Sequence, residues 1–550
     1  MARPARDADV VVLGAGPNGL TAAVLLAQAG LEVLVLEANP AIGGAVRTAE
    51  VTLPGFRHDL YSGFYPLLPP SPLGRLPLAR YGLTLCRFAQ PYGGATPGGP
   101  GVALHTTPEG SAAAFDAACP GDGAGYRELW EWWAWGGAAL LALLFHPLGD
   151  PRGLAPAVRL LRQPRRALEF AQLLVSSARV AAERAFAGED ARVWFVGSAL
   201  HADLSPEAAG GGVYSLILMG LGQQEGMPIP RGGAQAIPAA LHAYLEALGG
   251  SVLTGQRARE IVVREGRAVA VRTATDEFPA RRAVLATVEP QQLFLELVGA
   301  GHLPPDFVRG VRRFRRGLGT FKLDCALAAL PPFTAAALHG TGVFHLGESV
   351  ESLAGMIDQV ERGLLPAHPL LIGGIHTLAD PSRAPAGQHT LWLETHVPAR
   401  IRGDAAGTIA ATTWHEAREP FADRLLAELE RYAPGTRALV LGRYAQSPED
   451  LAAANANLVD GDLTGGSCAL DQQLVFRPVP GWFQHRTPLR GLYLGGAATH
   501  PGGGVHGAAG ANAARVLLAD LRLQRAGEMA HEGFAWLTAR VRRLLGRLVY

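Results

Sequence analysis

Three glycines and an acid near the start of the chain have the spacing of a dinucleotide-binding turn. Gly14, Gly16 and Gly19 follow the apolar run VVVL, and Glu37 comes 18 residues after the last of them. The first glycine of such a turn permits the tight bend, the second lets the backbone approach a pyrophosphate, and the third allows close helix packing. An acid at this distance binds a ribose. We predict that these residues, together with Asn18 in the same turn, bind a dinucleotide.

A second pair of glycines follows the acid. Gly43 and Gly44 begin six residues after Glu37, and this spacing resembles the extended fingerprint of FAD-binding oxidoreductases of the glutathione-reductase and amine-oxidase kind. The resemblance favours FAD over NAD as the cofactor. Many relatives place an arginine directly after the glycine pair, whereas in this chain two residues lie between Gly44 and Arg47. The resemblance implies that Arg47 contacts the diphosphate of FAD.

Another glycine-rich turn lies in the C-terminal part of the chain. The run GLYLGG predicts a strand, and HPGGGVHG leads from it into a long helix of small residues. From GGSCALDQQ to ANAAR this part resembles the phytoene-desaturase-like family of FAD-dependent oxidoreductases, and within it the branch called pyridine nucleotide-disulfide oxidoreductase domain-containing protein 2. The resemblance implies that the turn closes the flavin site, with Gly496, Gly504, Val505 and His506 as FAD-binding residues. A helix N-terminus offers N–H groups to the flavin N1 and O2, where negative charge collects on reduction.

The only lysine of the chain, Lys322, lies in the run GTFKLDCALAALPPF. The run alternates like a strand, with Lys322 and Asp324 on one face, and ends at a proline-marked turn. In the amine oxidases that the run resembles, a lysine in such a strand holds a water at the flavin N5, which implies a catalytic role for Lys322. The alternative is an exposed Lys322 that pairs with Asp324 on the strand face.

Two histidines, His500 and His506, lie inside the C-terminal glycine turn. Its place beside the expected flavin makes His500 a candidate catalytic residue. A hydrogen bond that organises the loop is the alternative role. Hydride removal to a flavin does not require a strong protein base, so the acid–base assignment stays open.

These residues need a fold that brings separate segments together. The strand, glycine turn, helix and second strand at the start of the chain predict a Rossmann-like α/β unit. The run PRGGAQAIPAALHAYLEALGG predicts a turn and a helix, with short strands after it, and the resemblance implies that Ala258 meets the adenine. We predict an FAD-binding domain of the glutathione-reductase and amine-oxidase type from residues 1–75, 228–295 and 460–525, an inserted α+β substrate domain from 76–227 and 296–459, and a C-terminal amphipathic helix at 526–550.

The composition is that of a globular chain with more than one domain. It has 550 residues, 48% of them hydrophobic, and a formal net charge of +1, so no nucleic-acid partner is predicted. The four cysteines form no CxxC pair and show no metal-ligand spacing, which argues against dithiol chemistry and against a metal site. The N-terminus passes directly into a strand and leaves no room for a signal peptide, which predicts a cytoplasmic protein.

Aromatic and basic residues crowd part of the predicted substrate domain. Trp130, Trp132, Trp133 and Trp135 precede the apolar run GGAALLALLF, and arginine-rich helices follow. This combination is typical of a surface that contacts a membrane peripherally and admits an apolar substrate. The alternative is an ordinary core helix with a solvated face. The predicted helix at 526–550 has a basic amphipathic pattern that fits docking on a membrane or on the protein itself.

The expected function follows from the cofactor and from the resemblance. We predict an FAD-dependent oxidoreductase that dehydrogenates, desaturates or isomerises an apolar substrate of the isoprenoid or polyene class by hydride transfer to flavin N5. The sequence shows no second dinucleotide fingerprint for a nicotinamide, so electrons leave to oxygen, a quinone or another carrier. One alternative is a flavin amine oxidase. The other is a non-catalytic carrier of prenyl groups or lipids, of the GDP-dissociation-inhibitor type.

Overall fold

The computed structural model of the protein describes residues 7–525. The predicted amphipathic helix at 526–550 lies outside these residues. Within residues 7–525, no helix is long and apolar enough to cross a membrane.

Twenty strands lie in the described part of the chain, and most belong to two seven-stranded sheets. They are β1 Ala8–Leu13, β2 Val33–Leu36, β3 Thr48–Ala49, β4 His58–Asp59, β5 Leu85–Cys86, β6 Gln90–Ala95, β7 Val102–Ala103, β8 Ile229–Pro230, β9 Ser251–Leu253, β10 Glu260–Arg264, β11 Arg267–Arg272, β12 Glu277–Ala286, β13 Gly319–Leu327, β14 Thr341–Leu346, β15 Leu364–Leu365, β16 Leu371–Gly374, β17 His389–Val397, β18 Gly403–Asp404, β19 Val440–Gln446 and β20 Leu492–Leu494.

Fifteen α-helices accompany these strands between residues 7 and 525. They are α1 Pro17–Gln28, α2 Pro108–Ala118, α3 Asp122–Phe145, α4 Pro151–Leu160, α5 Pro164–Val175, α6 Ala178–Ala185, α7 Glu189–Leu200, α8 Gly211–Glu225, α9 Ala236–Ala247, α10 Pro305–Arg312, α11 Val350–Glu361, α12 Trp414–Glu430, α13 Thr436–Leu439, α14 Pro448–Ala454 and α15 Ala508–Arg525.

The first sheet carries the glycine fingerprint and confirms the predicted Rossmann-like unit. Its strand order is β10-β11-β12-β1-β2-β9, and β20 also pairs with β12. The central strand β1 runs parallel to β2 and β12, with Val12 opposite Val35 on one side and Leu285 on the other. Helices α1, α9 and α15 pack on one face, and α10 packs on the other. Strands covered on both faces are apolar throughout, which explains the run VVVL.

The second sheet has the order β19-β13-β17-β16-β14-β6-β7. Strand β13 pairs with β17 and β19, both antiparallel, and all nine of its residues are buried. The strand predicted around Lys322 is therefore present. The alternative role places Lys322 on an exposed face of the strand. This part is wrong, because β13 is covered on both faces and Lys322 is buried.

Helices α2 to α8 contribute to a layer against this second sheet, and α3 carries the four tryptophans. Trp133 is buried in the core of the layer, while Trp132 stacks on Phe170 of α5. The core-helix alternative is therefore correct for Trp133. The indole of Trp132 is partly covered by α5.

The two sheets draw on different parts of the chain. Strands of the first sheet come from residues 8–36, 251–286 and 492–494, and strands of the second come from 90–103 and 319–446. We propose on this basis the same division into an FAD-binding domain and an inserted substrate domain. The domain boundaries themselves stay a prediction.

Candidate active site

A cavity of about 890 Å³ is lined by residues of both sheets and of the helical layer. Small-molecule sites in proteins have volumes of roughly 300–1,000 Å³, so this cavity is at the upper end of that range. Its nucleotide part is lined by residues that include Gly14, Gly16, Glu37 and Ala258. Its apolar part is lined by side chains that include Leu140, Leu144, Leu174, Ile217 and Leu221. The two parts form one continuous space.

The N-terminal glycine turn has the geometry that a pyrophosphate needs. Gly14 has a φ of +97°, which favours glycine, and a Cβ there would lie 2.6 Å from Thr287 Oγ1. A Cβ on Gly19 would lie 1.9 Å from the Gly14 carbonyl oxygen. On Gly16, by contrast, a Cβ would meet only the Gly44 Cα, at 3.8 Å. Packing does not require a glycine at position 16, whereas close approach of a ligand to the backbone does, so this turn fits FAD.

Glu37 follows β2 directly and is fixed beside the turn. Its Oε2 accepts a hydrogen bond from the Ala15 N–H, and its Oε1 accepts one from the Asn39 N–H, both at 2.8 Å. Each carboxylate oxygen keeps a further lone pair, which can accept a hydrogen bond from a ribose hydroxyl. These bonds hold the carboxylate in place at the wall of the nucleotide part.

The C-terminal glycine turn lies on the same cavity. Gly504 has a φ of +119°, and a Cβ there would lie 2.9 Å from the ring of His506. His506 Nδ1 accepts a hydrogen bond from the Ala508 N–H at 3.0 Å, and Nε2 donates to the Gly503 carbonyl at 3.1 Å. Burial lowers the pKa of His506 to about 4, so the ring is neutral. It therefore shapes the turn that precedes α15.

Helices α1 and α15 approach each other closely between the two glycine turns. The Gly510 N–H donates to Asn18 Oδ1 at 3.4 Å, and a Cβ on Gly510 would lie 1.9 Å from the Asn18 carbonyl oxygen. This contact brings the N-termini of both helices to one end of the cavity. A helix N-terminus attracts negative charge, so two of them suit the diphosphate and the flavin ring.

Most of the residues predicted to bind FAD line the cavity. Those on its wall are Gly14, Gly16, Asn18, Glu37, Gly44, Ala258, Gly504, Val505 and His506. Those away from its wall are Gly19, Gly43, Arg47 and Gly496. Gly496 serves close packing, because a Cβ there would lie 2.8 Å from the Thr287 carbonyl oxygen. The contacts of each residue with FAD stay a prediction.

Lys322 lies behind the cavity wall. Its ammonium donates to Asp324 Oδ1 at 2.5 Å and stands 4.7 Å from the ring centroid of Trp392, which does line the cavity. Burial lowers the pKa of Lys322, and the charge of Asp324 opposes that shift. The pairing with Asp324 is confirmed, and the ammonium faces a ring that lines the cavity. Its catalytic role stays a prediction.

His500 lines the cavity next to the C-terminal glycine turn. Its Nε2 donates to the Leu143 carbonyl at 3.0 Å and so ties the turn to α3. Burial lowers the pKa of His500 to about 4, which leaves the ring neutral at physiological pH. The hydrogen bond matches the loop-organising alternative, and a catalytic role for His500 stays a prediction.

Glu394 is a polar residue of the cavity wall that the sequence analysis missed. Strand β17 presents Trp392, Glu394 and His396 on one face, because alternate residues of a strand share a face. Glu394 forms neither a hydrogen bond nor an ion pair with any residue between 7 and 525. Burial raises its pKa to about 7. The signal in the sequence is an acid that follows the apolar run LWL within the strand pattern TLWLETHV.

His201, directly after α7, is the second polar residue that was missed. It lines the cavity, and its Nε2 shares a hydrogen bond with His345 Nε2 at 2.8 Å. The His345 Nδ1 contacts the Tyr92 hydroxyl at 2.9 Å, and that hydroxyl contacts Ser198 Oγ at 2.5 Å. His201 is exposed where it lines the cavity, and desolvation by the surrounding groups lowers its pKa to about 4. The result is a neutral hydrogen-bonded chain that ends on the cavity.

Two family profiles match the chain. The NAD(P)-binding Rossmann-like domain matches residues 12–71, and the flavin containing amine oxidoreductase family matches residues 155–518. The second match covers most of the chain. Together with the fit of both glycine turns, it shows that FAD is the cofactor.

The chain also resembles individual proteins along its length. The pyridine nucleotide-disulfide oxidoreductase domain-containing protein 2 of Rattus norvegicus is 31% identical, over 94% of this chain and 94% of that protein. A neurosporene-forming phytoene desaturase of Cereibacter sphaeroides is 24% identical, over 92% and 94%. A putrescine oxidase structure with bound putrescine shares the fold, with a TM-score of 0.59 and 17% identity over 94% and 99% of the two chains. The chain therefore belongs to the flavin-containing amine oxidoreductases, in the group of phytoene-desaturase-like proteins that includes pyridine nucleotide-disulfide oxidoreductase domain-containing protein 2.

Proposed function

We propose that the protein dehydrogenates, or isomerises without net redox change, an apolar substrate of the isoprenoid or polyene class. The observation that carries this proposal is the single cavity, in which an apolar part is continuous with the FAD-binding turns. Similarity to a phytoene desaturase supports it. Electrons leave to oxygen, a quinone or another carrier.

FAD, when bound, supplies the acceptor for a hydride, and the protein supplies position and a dry environment. Leu140, Leu144, Ile217 and Leu221 bury the substrate against hydrocarbon side chains. Apolar burial contributes roughly 25 cal/mol per Å² and excludes water from the reacting carbon atoms. Lys322 holds a positive charge behind Trp392, where it favours negative charge at the cavity wall.

Anaerobic reduction of the FAD-loaded protein tests this function. A panel of polyenes, prenyl lipids and amines is added without oxygen, and the loss of the yellow flavin absorbance is followed. We expect polyenes or prenyl lipids to bleach the flavin. Bleaching by amines alone would instead support the flavin amine oxidase, and a purified protein that is colourless and indifferent to added FAD would support the lipid carrier.

We also propose that the substrate enters from a membrane surface. Helices α4 and α5 carry apolar side chains that face outward, on what we term the α4–α5 surface: Leu154, Val158, Leu161, Leu168 and Val175. Leu168 is 73% exposed and Leu161 is 63% exposed. Within α4, Leu154 and Val158 are spaced to lie on one helical face, which a globular protein normally buries. Residues 150–175 contain five arginines and two acids, so the surface suits an anionic bilayer.

This α4–α5 surface reaches the mouth of the cavity. Val175, Leu470 and Leu474 are exposed to solvent and also line the cavity. The Gly210 N–H donates to the Val175 carbonyl, and a Cβ on Gly210 would lie 2.8 Å from the Leu470 side chain. Val175 and Leu470 are therefore neighbours on either side of Gly210. A lipophilic molecule that leaves a bilayer here meets a continuous apolar path.

Vesicle co-sedimentation tests the membrane contact. The FAD-loaded protein should bind vesicles that contain phosphatidylglycerol and phosphatidylcholine more tightly than it binds vesicles of phosphatidylcholine alone. The triple variant Val158→Gln, Leu161→Gln, Leu168→Gln should lose at least about tenfold in affinity. Leu330→Gln with Leu441→Gln, which changes exposed apolar residues elsewhere, is the matched control.

Two results would contradict the membrane contact. One is equal vesicle binding by the triple variant and the control. The other is self-association of the parent without vesicles that the triple variant abolishes, since this would assign the α4–α5 surface to a second copy of the chain.

A further inference from the structure

A polar patch on the cavity wall includes Glu394 and His201. Both residues lie on the cavity wall. Glu394 and His396 share one face of β17, and His396 bonds to Asp203, two residues after His201. His396 is itself fixed, since its Nε2 donates to Asp203 Oδ1 at 2.9 Å. This bond connects strand β17, which carries Glu394, to the segment that carries His201.

Neither side chain of this patch is fully satisfied by the protein. Glu394 has no hydrogen-bond partner within residues 7–525, and only the Nε2 atom of His201 has one there. The hydrogen-bonded chain through His345 and Tyr92 orients the His201 ring and leaves its Nδ1 for a ligand. A hydrocarbon placed against these atoms would leave a carboxyl and an imidazole nitrogen unpaired, which is unfavourable in an apolar site.

We propose that the substrate is an apolar molecule with a hydroxyl group at one end, and that Glu394 and His201 bind this hydroxyl. The inference rests on the proposed function and narrows its substrate class from hydrocarbons to alcohols. A hydroxyl donates and accepts at once. It can therefore accept from a protonated Glu394 and donate to the neutral His201, or do the reverse. An ammonium group matches the patch less well, because the positive charge of Lys322 already acts on Glu394 and a protonated Glu394 offers no counter-charge.

Binding of three matched ligands to the FAD-loaded protein tests the proposal. Farnesene, farnesol and farnesylamine share a carbon skeleton and differ at one end. Their dissociation constants are measured from the perturbation of the flavin spectrum or from quenching of tryptophan fluorescence. We expect farnesol to bind at least about tenfold more tightly than farnesene and more tightly than farnesylamine, since a site built to hydrogen-bond a group rejects the analogue without it.

Three variants locate the effect at the patch. Glu394→Leu should bring the ratio of farnesol to farnesene affinity close to one, while Glu394→Gln should keep it, because an amide also donates and accepts. Ile217→Ala, on the apolar wall, is the control and should weaken both ligands equally. Folding is monitored by FAD content, and Glu394→Leu removes a carboxyl without orphaning a partner.

Several outcomes overturn the inference while the proposed function stands. They are equal affinity for farnesene and farnesol in the parent, an unchanged preference in Glu394→Leu, tighter binding of farnesylamine than of farnesol, and failure of farnesol to bind the FAD-loaded protein. A parent protein that retains no FAD would instead contradict the proposed function.

Discussion

At the scale of single residues, Gly16 and Gly19 share a motif but differ in what a side chain would meet. A Cβ on Gly16 meets no atom closer than 3.8 Å, whereas a Cβ on Gly19 lies 1.9 Å from a backbone oxygen. We expect Gly16→Val to fold with the thermal stability of the parent apoprotein and to bind no FAD. Gly19→Ala should lose at least about 2 kcal/mol of stability through overpacking. Flavin absorbance measures FAD binding, and thermal unfolding of the apoproteins measures stability. Stoichiometric FAD in Gly16→Val would contradict the position assigned to the pyrophosphate.

Glu394 gives a residue-scale prediction for pH. Its pKa is about 7 in the folded protein and ordinarily 4.5, because burial disfavours the charge. Between these values the folded state holds a proton that the unfolded state has lost, so this group makes stability fall as pH rises from about 4.5 to 7. The charged or titratable groups that influence Glu394 are His396, Lys322, Asp203 and Asp324.

The variant Glu394→Gln removes this pH dependence. We expect its advantage in stability over the parent to grow by about 3 kcal/mol between pH 4.5 and pH 8. Thermal unfolding with saturating FAD at each pH measures the difference. An advantage that is the same at both pH values would show that Glu394 is not a buried acid.

At the scale of elements, strand β13 carries an ion pair that is buried because neighbouring strands and packed layers surround it. Lys322 and Asp324 are 1% and 0% exposed. We expect Lys322→Met to cost about 3–5 kcal/mol of stability, because it removes the ammonium that compensates the buried charge of Asp324 and leaves only His58 Nδ1, at 3.6 Å, beside that carboxylate. The double variant Lys322→Met, Asp324→Asn should recover most of that loss. Thermal unfolding of the single and double variants measures this recovery. Equal stability of the single and double variants would mean that Lys322 and Asp324 are not coupled.

The double variant also separates stability from reactivity. If the charge of Lys322 acts on the flavin, the double variant at full FAD occupancy should be reduced or reoxidised at least about tenfold more slowly, a change of about 1.4 kcal/mol in the barrier. Stopped-flow absorbance measures the rate. Parent-like rates in a fully loaded double variant would leave Lys322 with a structural role alone.

Elements differ in how far the sequence predicts them. The helices α1 and α9 follow local signals, a glycine turn and a regular apolar pattern, and they form where predicted. A local signal, the alternation of apolar residues, also predicts strand β13 around Lys322. The burial of that strand depends on β17 and β19, which lie far along the chain. The burial of Trp133 likewise depends on distant parts of the chain, because residues of other helices cover its indole. Local alternation predicts a strand and says little about what lies on its two faces.

At the scale of the whole molecule, the nucleotide part of the cavity was predictable and the apolar part was not. Glycine spacing encodes the approach of the backbone to a ligand, and nine predicted residues line the cavity. Glu394 and His201 come from a strand and a helix terminus that are 193 positions apart. They line one cavity because the second sheet packs against the helical layer, and no short pattern in the sequence records that packing.

The contact between α1 and α15 has a consequence for the order in which the protein is made. Gly14 and Gly504 stand at opposite ends of the described chain, yet both line the cavity. Ribosomes add roughly 5–20 residues per second, so the first glycine turn emerges about half a minute to a minute and a half before the second. For about the first half of that interval β1 has no β12 beside it, and α1 has no α15 until the interval ends. The nascent N-terminal segment must therefore remain protected from aggregation until the last part of the chain arrives, and FAD can be locked in place only after synthesis is almost complete.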